Sequence, residues 1–169
     1  MPITAIFCKV CSMCERKSFS FRPAKEKDLE FIRKLSAEVF SKYGHYEEII
    51  PAWFGEPIVI TEVIKEKSDI LGFAMLVLER KKVFGSREAH LLAIGILVEQ
   101  QRKGAGTALL EHMEDIARRY KAVQLNLWTA VDNEAALSFF QKAGFKMKRF
   151  EDYYYPEGQA ALAMSKNLE

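Results

Sequence analysis

The sequence predicts an α/β protein built on a mixed sheet, and three observations predict it. Ile58–Ile64 (IVITEVI) and Ile70–Leu78 (ILGFAMLVL) are strand-like runs separated only by the charged turn Lys65–Asp69, which reads as an antiparallel hairpin. From Ala89 onward the order becomes strand, helix, strand, helix, which adds crossover connections to the antiparallel pair. Between the first of those strands and its helix, Gln101-Arg102-Lys103-Gly104-Ala105-Gly106 carries two glycines one residue apart in a polar turn.

Taken in order, Ser18-Phe-Ser-Phe-Arg22 alternates polar and apolar as a short edge strand does, and Pro23 ends it. Asp28–Phe40 carries Leu29, Ile32, Leu35 and Val39 at helical spacing with acidic residues early, so a helix follows. Ser41–Pro57 interleaves Tyr43, Tyr46, Trp53 and Phe54 with Gly44, Pro51 and Gly55, which suits a short helix held between loops. After the hairpin, Lys81–Arg87 with Gly85 is a second turn into the Ala89 strand. Leu109, Met113, Ile116 and Tyr120 recur at three and four residues, so one face of the next helix packs on the sheet, and Arg118 and Arg119 close it where its dipole favours cations. Val123–Trp128 alternates as a strand. Asp132-Asn133 supplies a cap for a helix running to Ala143, where Gly144 stops it. Phe145–Tyr155 and Ala160–Met164 read as two last strands around Pro156-Glu157-Gly158.

A length of 169 residues suits one domain, placed at 18–169, with 1–17 as a poorly ordered extension. Hydrophobic content of 49% with 28% charged residues describes a globular chain, and a net charge of +2 without clustered bases and aromatics argues against nucleic acid as a partner. No apolar run approaches the roughly 20 residues that span a membrane. MPITAIFCKV has no positive region ahead of its apolar run, so a secretory signal is not expected and the cytoplasm is the expected location. Cys8, Cys11 and Cys14 are the three cysteines, and no histidine is spaced from them as a fourth zinc ligand would be. They read either as a partial metal or iron–sulfur site completed by a second chain, or as part of a poorly ordered extension, a variant of that second reading being a true start at Met13. No metal is expected in the domain.

Residues 101–106, lying between a strand and a helix, leave backbone N–H groups without strand or helix partners, and the helix dipole adds positive potential there. That arrangement is an anion site suited to phosphate, and Gly104 and Gly106 let the anion approach the backbone. The spacing does not fit the nucleotide loop G-x-x-x-x-G-K-[ST], and a dinucleotide loop would need a glycine at Leu109, so a nucleotide-binding protein is disfavoured. Gln101-x-x-Gly104-x-Gly106 instead resembles the acetyl-CoA pyrophosphate loop of the GNAT family of N-acetyltransferases. Asn133-Glu-Ala-Ala-Leu-Ser-Phe-Phe-Gln-Lys-Ala-Gly144-Phe145 is similar to that family's second segment, N-x-x-A-x-x-[FL]-[YF]-x-x-x-G-F, and FRPAKEKDLEFIRKL to its first strand and helix. The resemblance implies a mostly antiparallel central sheet flanked by helices, and an enzyme that moves an acetyl group from acetyl-CoA to a primary amine.

It also implies roles for individual residues. The strand Ile94–Val98 would hold the pantetheine arm through backbone groups freed where it diverges from its neighbour, with Ile94, Ile96 and Val98 against it. The pyrophosphate would lie on the amides from Arg102 through Lys103, Gly104, Ala105 and Gly106 to Thr107, after Gln101. Arg102 and Lys103 would add charge or simply be solvated bases. Asn133 would contact the arm, cap its helix, or both. A backbone N–H near Ile96 would stabilise the oxyanion. Strand parity places His90, Leu92, Ile94 and Ile96 on one face, and His90 falls where several members carry a Glu or His as base; the alternative is a structural hydrogen bond.

The sequence departs from the family at the acid. Many members place a tyrosine where Phe140 stands, and a phenyl ring has no proton to give. Tyr153, Tyr154 and Tyr155 are the substitutes, with strand alternation turning Tyr154 opposite the other two, and Tyr154 is taken as the acid. Tyr154-Tyr155-Pro156 followed by Ala-Leu-Ala-Met resembles the end of the ribosomal-protein N-terminal acetyltransferases, whose catalytic Glu and Tyr would fall at Trp128 and Phe140. The acceptor is therefore a small-molecule amine or, as runner-up, a peptide N-terminus. A non-catalytic acyl-CoA-binding module is a further alternative. The Ser41–Pro57 region either covers the acceptor side or lids the core, and a homodimer through the last strands is compatible with the fold.

Overall fold

The computed structural model describes residues 18–80 and 87–168. The extension 1–17, with its three cysteines and Met13, and nearly all of the Lys81–Arg87 turn lie outside them. The strands are β1 (Phe19–Pro23), β2 (Val59–Glu66), β3 (Asp69–Arg80), β4 (Arg87–Ile96), β5 (Ala122–Ala130), β6 (Lys146–Glu151) and β7 (Ala161–Asn167). The helices are α1 (Leu29–Phe40), α2 (Tyr46–Phe54), α3 (Ala105–Arg119) and α4 (Glu134–Lys142). The strands form one sheet in the order β1-β2-β3-β4-β5-β7-β6, antiparallel throughout except for the parallel pair β4–β5. The mixed, mostly antiparallel sheet expected from the sequence is therefore present. No helix among the described residues is long and apolar enough to cross a membrane.

Period-two alternation splits the strands between two cores. Ala74, Leu76, Leu91, Leu125, Leu127 and Met164 meet Leu109, Met113 and Ile116 of α3 and Phe140 of α4 on one face. Val63, Phe73, Met75 and Ala93 meet Ile32 and Leu35 of α1 and Ile50 of α2 on the other. Burying side chains such as Phe73 and Leu109, each fully inaccessible, contributes about 2 kcal/mol apiece. Tyr120 lies just past the end of α3 and is largely exposed, so the helical stripe ends at Ile116.

Polar contacts fix the helices. Arg22 of β1 donates twice to the buried Asp28, at 2.6 and 2.9 Å, and the Lys25 amide donates to the same carboxylate, fastening the start of α1 to the sheet edge. In α2, Pro51 has no N–H to give the Glu47 carbonyl four residues earlier, and Arg33 of α1 donates to that oxygen instead. The Glu114 carboxylate of α3, buried, accepts from Lys166 of β7 at 2.7 and 2.8 Å.

Two elements differ from expectation. β6 ends at Glu151, because the chain turns and Tyr153 adopts a left-handed φ of 52°. β4 carries a bulge: Met75 pairs with Ala93 but Leu76 with Leu91, so Leu92 is an extra residue.

Candidate functional site

The site lies where β4 and β5 part. Their parallel pairing runs from Arg87↔Ala122 to Leu91↔Leu127 and goes no further, while β5 stays paired to β7 as far as Ala130↔Ala161. Beyond Leu91 the β5-facing edge of β4 has no strand partner, and a cleft of about 790 Å³ opens there. Its floor is β4 from His90 to Ile96 and β5 from Leu127 to Ala130.

At one end the cleft reaches the start of α3. The chain leaves β4 through a short 3₁₀ turn, Arg102 takes a φ of 59°, and Gly104, the N-cap, a φ of 90°. That left-handed conformation is readily adopted only by glycine, and it swings the chain into the helix with no side-chain cap on its first amides. Gln101 folds back, and its Nε2 donates to the Ile96 carbonyl at 3.0 Å, filling one acceptor on the freed edge of β4. Val98, Gln101, Arg102, Gly104, Gly106 and Thr107 all line this end. Lys103 and Ala105 do not. Lys103 is exposed outside the cleft and the Ala105 methyl is buried in the core, which leaves their backbone amides as what they can offer. The arrangement fits an anionic phosphate group: a helix N-terminus, a close backbone approach and one lining guanidinium.

Asn133 and Phe140 line the cleft from α4. The Asn133 side chain accepts from the Ala136 amide at 3.1 Å, so it caps α4 while facing the cleft. Phe140 is only 5% exposed, with its ring between Phe139 and Phe145 at 5.0 and 5.5 Å, so it belongs to the core and shows the cleft one edge.

The other end is aromatic. Tyr43, Tyr46 and Trp53 approach from the α1–α2 side, and Trp128, Tyr154 and Tyr155 from the opposite wall. Tyr154 stacks on Trp128 at 4.6 Å, and Tyr155 meets Tyr43 at 5.2 Å and Tyr154 at 5.1 Å. Loops tie this end together: Gln159 donates to the Lys42 carbonyl at 2.7 Å, and Lys42 pairs with Asp132 at 2.7 Å. Burial pushes the hydroxyls of Tyr43, Tyr46, Tyr154 and Tyr155 above the ordinary phenol value, so all four stay protonated at neutral pH. In the Ser41–Pro57 region, Tyr43 and Ile50 are buried and also border the cleft.

The parity expected for His90 does not hold. Because Leu92 is bulged, Ile94 and Ile96 turn with Leu91 toward α3 and α4, whereas His90 turns with Ala93 and Gly95 to the α1–α2 face. His90 still borders the cleft, which opens on that face as well. A Cβ at Gly95 would press on Phe73, Val39 and Leu35, so this glycine lets α1 pack closely. The alternation assumed for the tyrosines also fails, because all three lie beyond β6. Tyr153 is 85% exposed, and Tyr154 and Tyr155 both face the cleft. Sequence reasoning did not single out Glu79, which lines the cleft beside His90 from β3; an exposed Glu near a hairpin end carries no distinguishing pattern. Among the described residues no cluster of three or more His, Cys, Asp or Glu is arranged to hold a metal ion.

Residues 28–145 match the model of the Acetyltransferase (GNAT) family. An N-alpha-acetyltransferase of Saccharolobus solfataricus is 34% identical over 83 residues, covering 48% of this chain and 50% of that protein. The chain spans about half the length of the curated relatives it matches. Among solved structures, Ard1 from Thermoplasma volcanium superposes with a TM-score of 0.73 at 21% identity, covering 88% of this chain and 97% of that one. Arabidopsis thaliana NAA60 in complex with acetyl-CoA gives a TM-score of 0.77 at 13% identity, covering 89% and 98%.

Proposed function

The chain belongs to the GNAT acetyltransferase family, and on that premise we propose that it transfers the acetyl group of acetyl-CoA to a primary amine by direct attack. The observation that carries the reading is the gap between β4 and β5, leading directly to the Gly104 cap of α3. The gap offers unpaired β4 backbone to an extended pantetheine arm, and the α3 amides with Arg102 suit the pyrophosphate at its end. Ile94, Ile96 and Val98 form the apolar wall of that groove, and Asn133 and Phe140 face it from α4.

The chemistry asked of the protein is modest. An acceptor arriving as ammonium must lose a proton before its nitrogen attacks the thioester carbonyl; the C–N bond forms, the attached nitrogen gives up a second proton as the tetrahedral adduct collapses, the C–S bond breaks and the thiolate leaves. His90 takes the proton on the free nitrogen of its neutral imidazole. Tyr154, whose hydroxyl is protonated at neutral pH, supplies a proton to the thiolate in place of the tyrosine that Phe140 replaces and regains one from the attached nitrogen. The aromatic end of the cleft receives the acceptor. The names of the relatives favour the α-amine of a peptide N-terminus there. With Trp128 and Phe140 at the positions expected for Glu and Tyr in the ribosomal-protein enzymes, His90 and Tyr154 carry that work.

The test is a thermal-shift titration with acetyl-CoA, CoA and ATP, followed by free-thiol release with amines and peptides. A ligand at a hundred times its Kd stabilises by about 2.7 kcal/mol. A shift with both CoA species but not ATP, then turnover lost in His90→Ala with acetyl-CoA binding intact, is the expected result. Binding without turnover on any amine selects the non-catalytic module, and no shift with CoA overturns the reading.

A further inference from the structure

His90 Nε2 is sealed from solvent and has no hydrogen-bond partner, yet the His90 side chain as a whole is 30% exposed. A buried ring nitrogen without a partner is costly, so a group able to satisfy it should lie close by. The group there is a carboxylate, Glu79 Oε2, 3.5 Å from Nε2. Glu79 stands on β3 diagonally across from His90, since Val77 is the residue directly opposite. Its side chain is 65% exposed, and a small rotation closes the remaining few tenths of an ångström.

We propose that Glu79 is a positioning residue for His90, holding Nε2–H so that Nδ1 is the basic atom offered to the acceptor. This rests on the reading of His90 as base. A neutral imidazole carries one proton, and whichever nitrogen donates it fixes the other as acceptor. With Nε2–H directed at the carboxylate, the lone pair lies on Nδ1. The acceptor ammonium gives its proton to Nδ1; the imidazolium keeps Nε2–H on Glu79 and later releases the Nδ1 proton to water.

The other groups facing His90 do not substitute for this contact. Glu88, on the same side of β4, accepts from Asn126 of β5 at 3.3 Å, and Asn126, the β5 residue level with His90, is neutral. From α1 the cleft receives the exposed Glu38, from α2 Tyr46, and from the far wall Tyr154, both phenols kept neutral by burial. Arg102, the cleft's lining cation among the described residues, belongs to the opposite, phosphate-binding end.

The experiment is a long-range ¹H–¹⁵N NMR titration of the full chain labelled at histidine, with His90→Ala to assign the His90 signals, on wild type, Glu79→Gln and Glu79→Ala. Wild type is expected to show Nε2 protonated and Nδ1 as the acceptor above the His90 pKa. Glu79→Gln keeps an acceptor oxygen, so it should keep the tautomer. Glu79→Ala should lose the tautomer preference. Turnover should fall in Glu79→Ala and be kept in Glu79→Gln, with the KM for acetyl-CoA unchanged. A wild-type Nδ1–H tautomer, or a tautomer preference unchanged in Glu79→Ala, overturns the proposal. Full turnover in His90→Ala sinks the base itself and leaves the NMR result to decide the Glu79–His90 contact on its own.

Discussion

Replacing Gly104 separates what the phosphate loop costs the fold from what it gives the ligand. Gly104 has a φ of 90°, where an L-residue loses about 1–2 kcal/mol, and a Cβ built there meets nothing nearer than the Phe19 ring at 4.0 Å. Gly104→Ala is therefore a pure backbone perturbation. A domain of this length shifts by about 2–4 °C per kcal/mol, so the unliganded Tm should fall by about 2–8 °C. The added methyl borders the cleft where the anion is to approach, so the shift produced by acetyl-CoA should shrink too. Gly104→Glu carries the same backbone cost and adds a negative charge facing the pyrophosphate; it should fold at nearly the alanine variant's Tm and show no acetyl-CoA shift. Differential scanning fluorimetry with and without saturating acetyl-CoA measures all of these. A wild-type Tm in Gly104→Ala would refute the strain argument, and a full acetyl-CoA shift in Gly104→Glu would remove the loop from the binding site.

Three further outcomes follow from the geometry. Asp28→Asn strands Arg22 and weakens the hold on α1, costing about 2 kcal/mol at neutral pH by chemical denaturation. The Arg22 hydrogen bonds hold the Asp28 carboxyl below its ordinary value, so its contribution is present above about pH 4 and is lost as pH falls through the folded-state pKa. The gap between variant and wild type should close in acid, and a gap that widens there would contradict the assignment. Gly72→Ala drives a Cβ into the Gly95 carbonyl and Ile96, so it should cost at least about 2 kcal/mol and distort β4 at the cleft; full stability with unchanged acetyl-CoA affinity would show that β3 yields more easily than its packing suggests. Tyr154→Phe keeps the stack on Trp128 but removes the hydroxyl, so kcat should fall about tenfold or more with the acetyl-CoA KM unchanged, and an equal kcat would assign the proton to water.

The parts legible from sequence were those written in local chemistry. Gly104 and Gly106 between an apolar run and a 3.6-residue period announced a strand, a turn and a helix start, and the left-handed φ at Gly104 is the backbone state that glycine makes available. Asn133 was legible as a cap for the same reason, since its oxygen acts within three residues of itself. Tyr154 was misjudged because the turn after Glu151 depends on Tyr153 adopting φ 52°, a conformation its residue type does not advertise. Glu79 was silent because its meaning comes from a neighbour across a hairpin.

The bulge at Leu92 shows why parity failed at the residue where it mattered most. Alternation along Ala89–Ile96 is compatible with an unbroken strand, and an unbroken strand puts His90, Ile94 and Ile96 on one face. The extra residue arises from pairing with β3, a tertiary event with no local signature, and it coincides with the last β4–β5 pair at Leu91. Past that point β4 presents Ile94 and Ile96 to the α3–α4 side while His90 stays on the α1–α2 side, and one cleft touches both. For the proposed reaction this is the more useful geometry. The acyl carrier lies along the freed edge toward α3, the acceptor comes in among the aromatic side chains, and the base stands on the acceptor's side rather than under the carrier. A regular β4 would put His90 on the same face as the carrier wall, and so the irregular residue, which sequence periodicity hides, would let one strand serve both substrates of the proposed reaction.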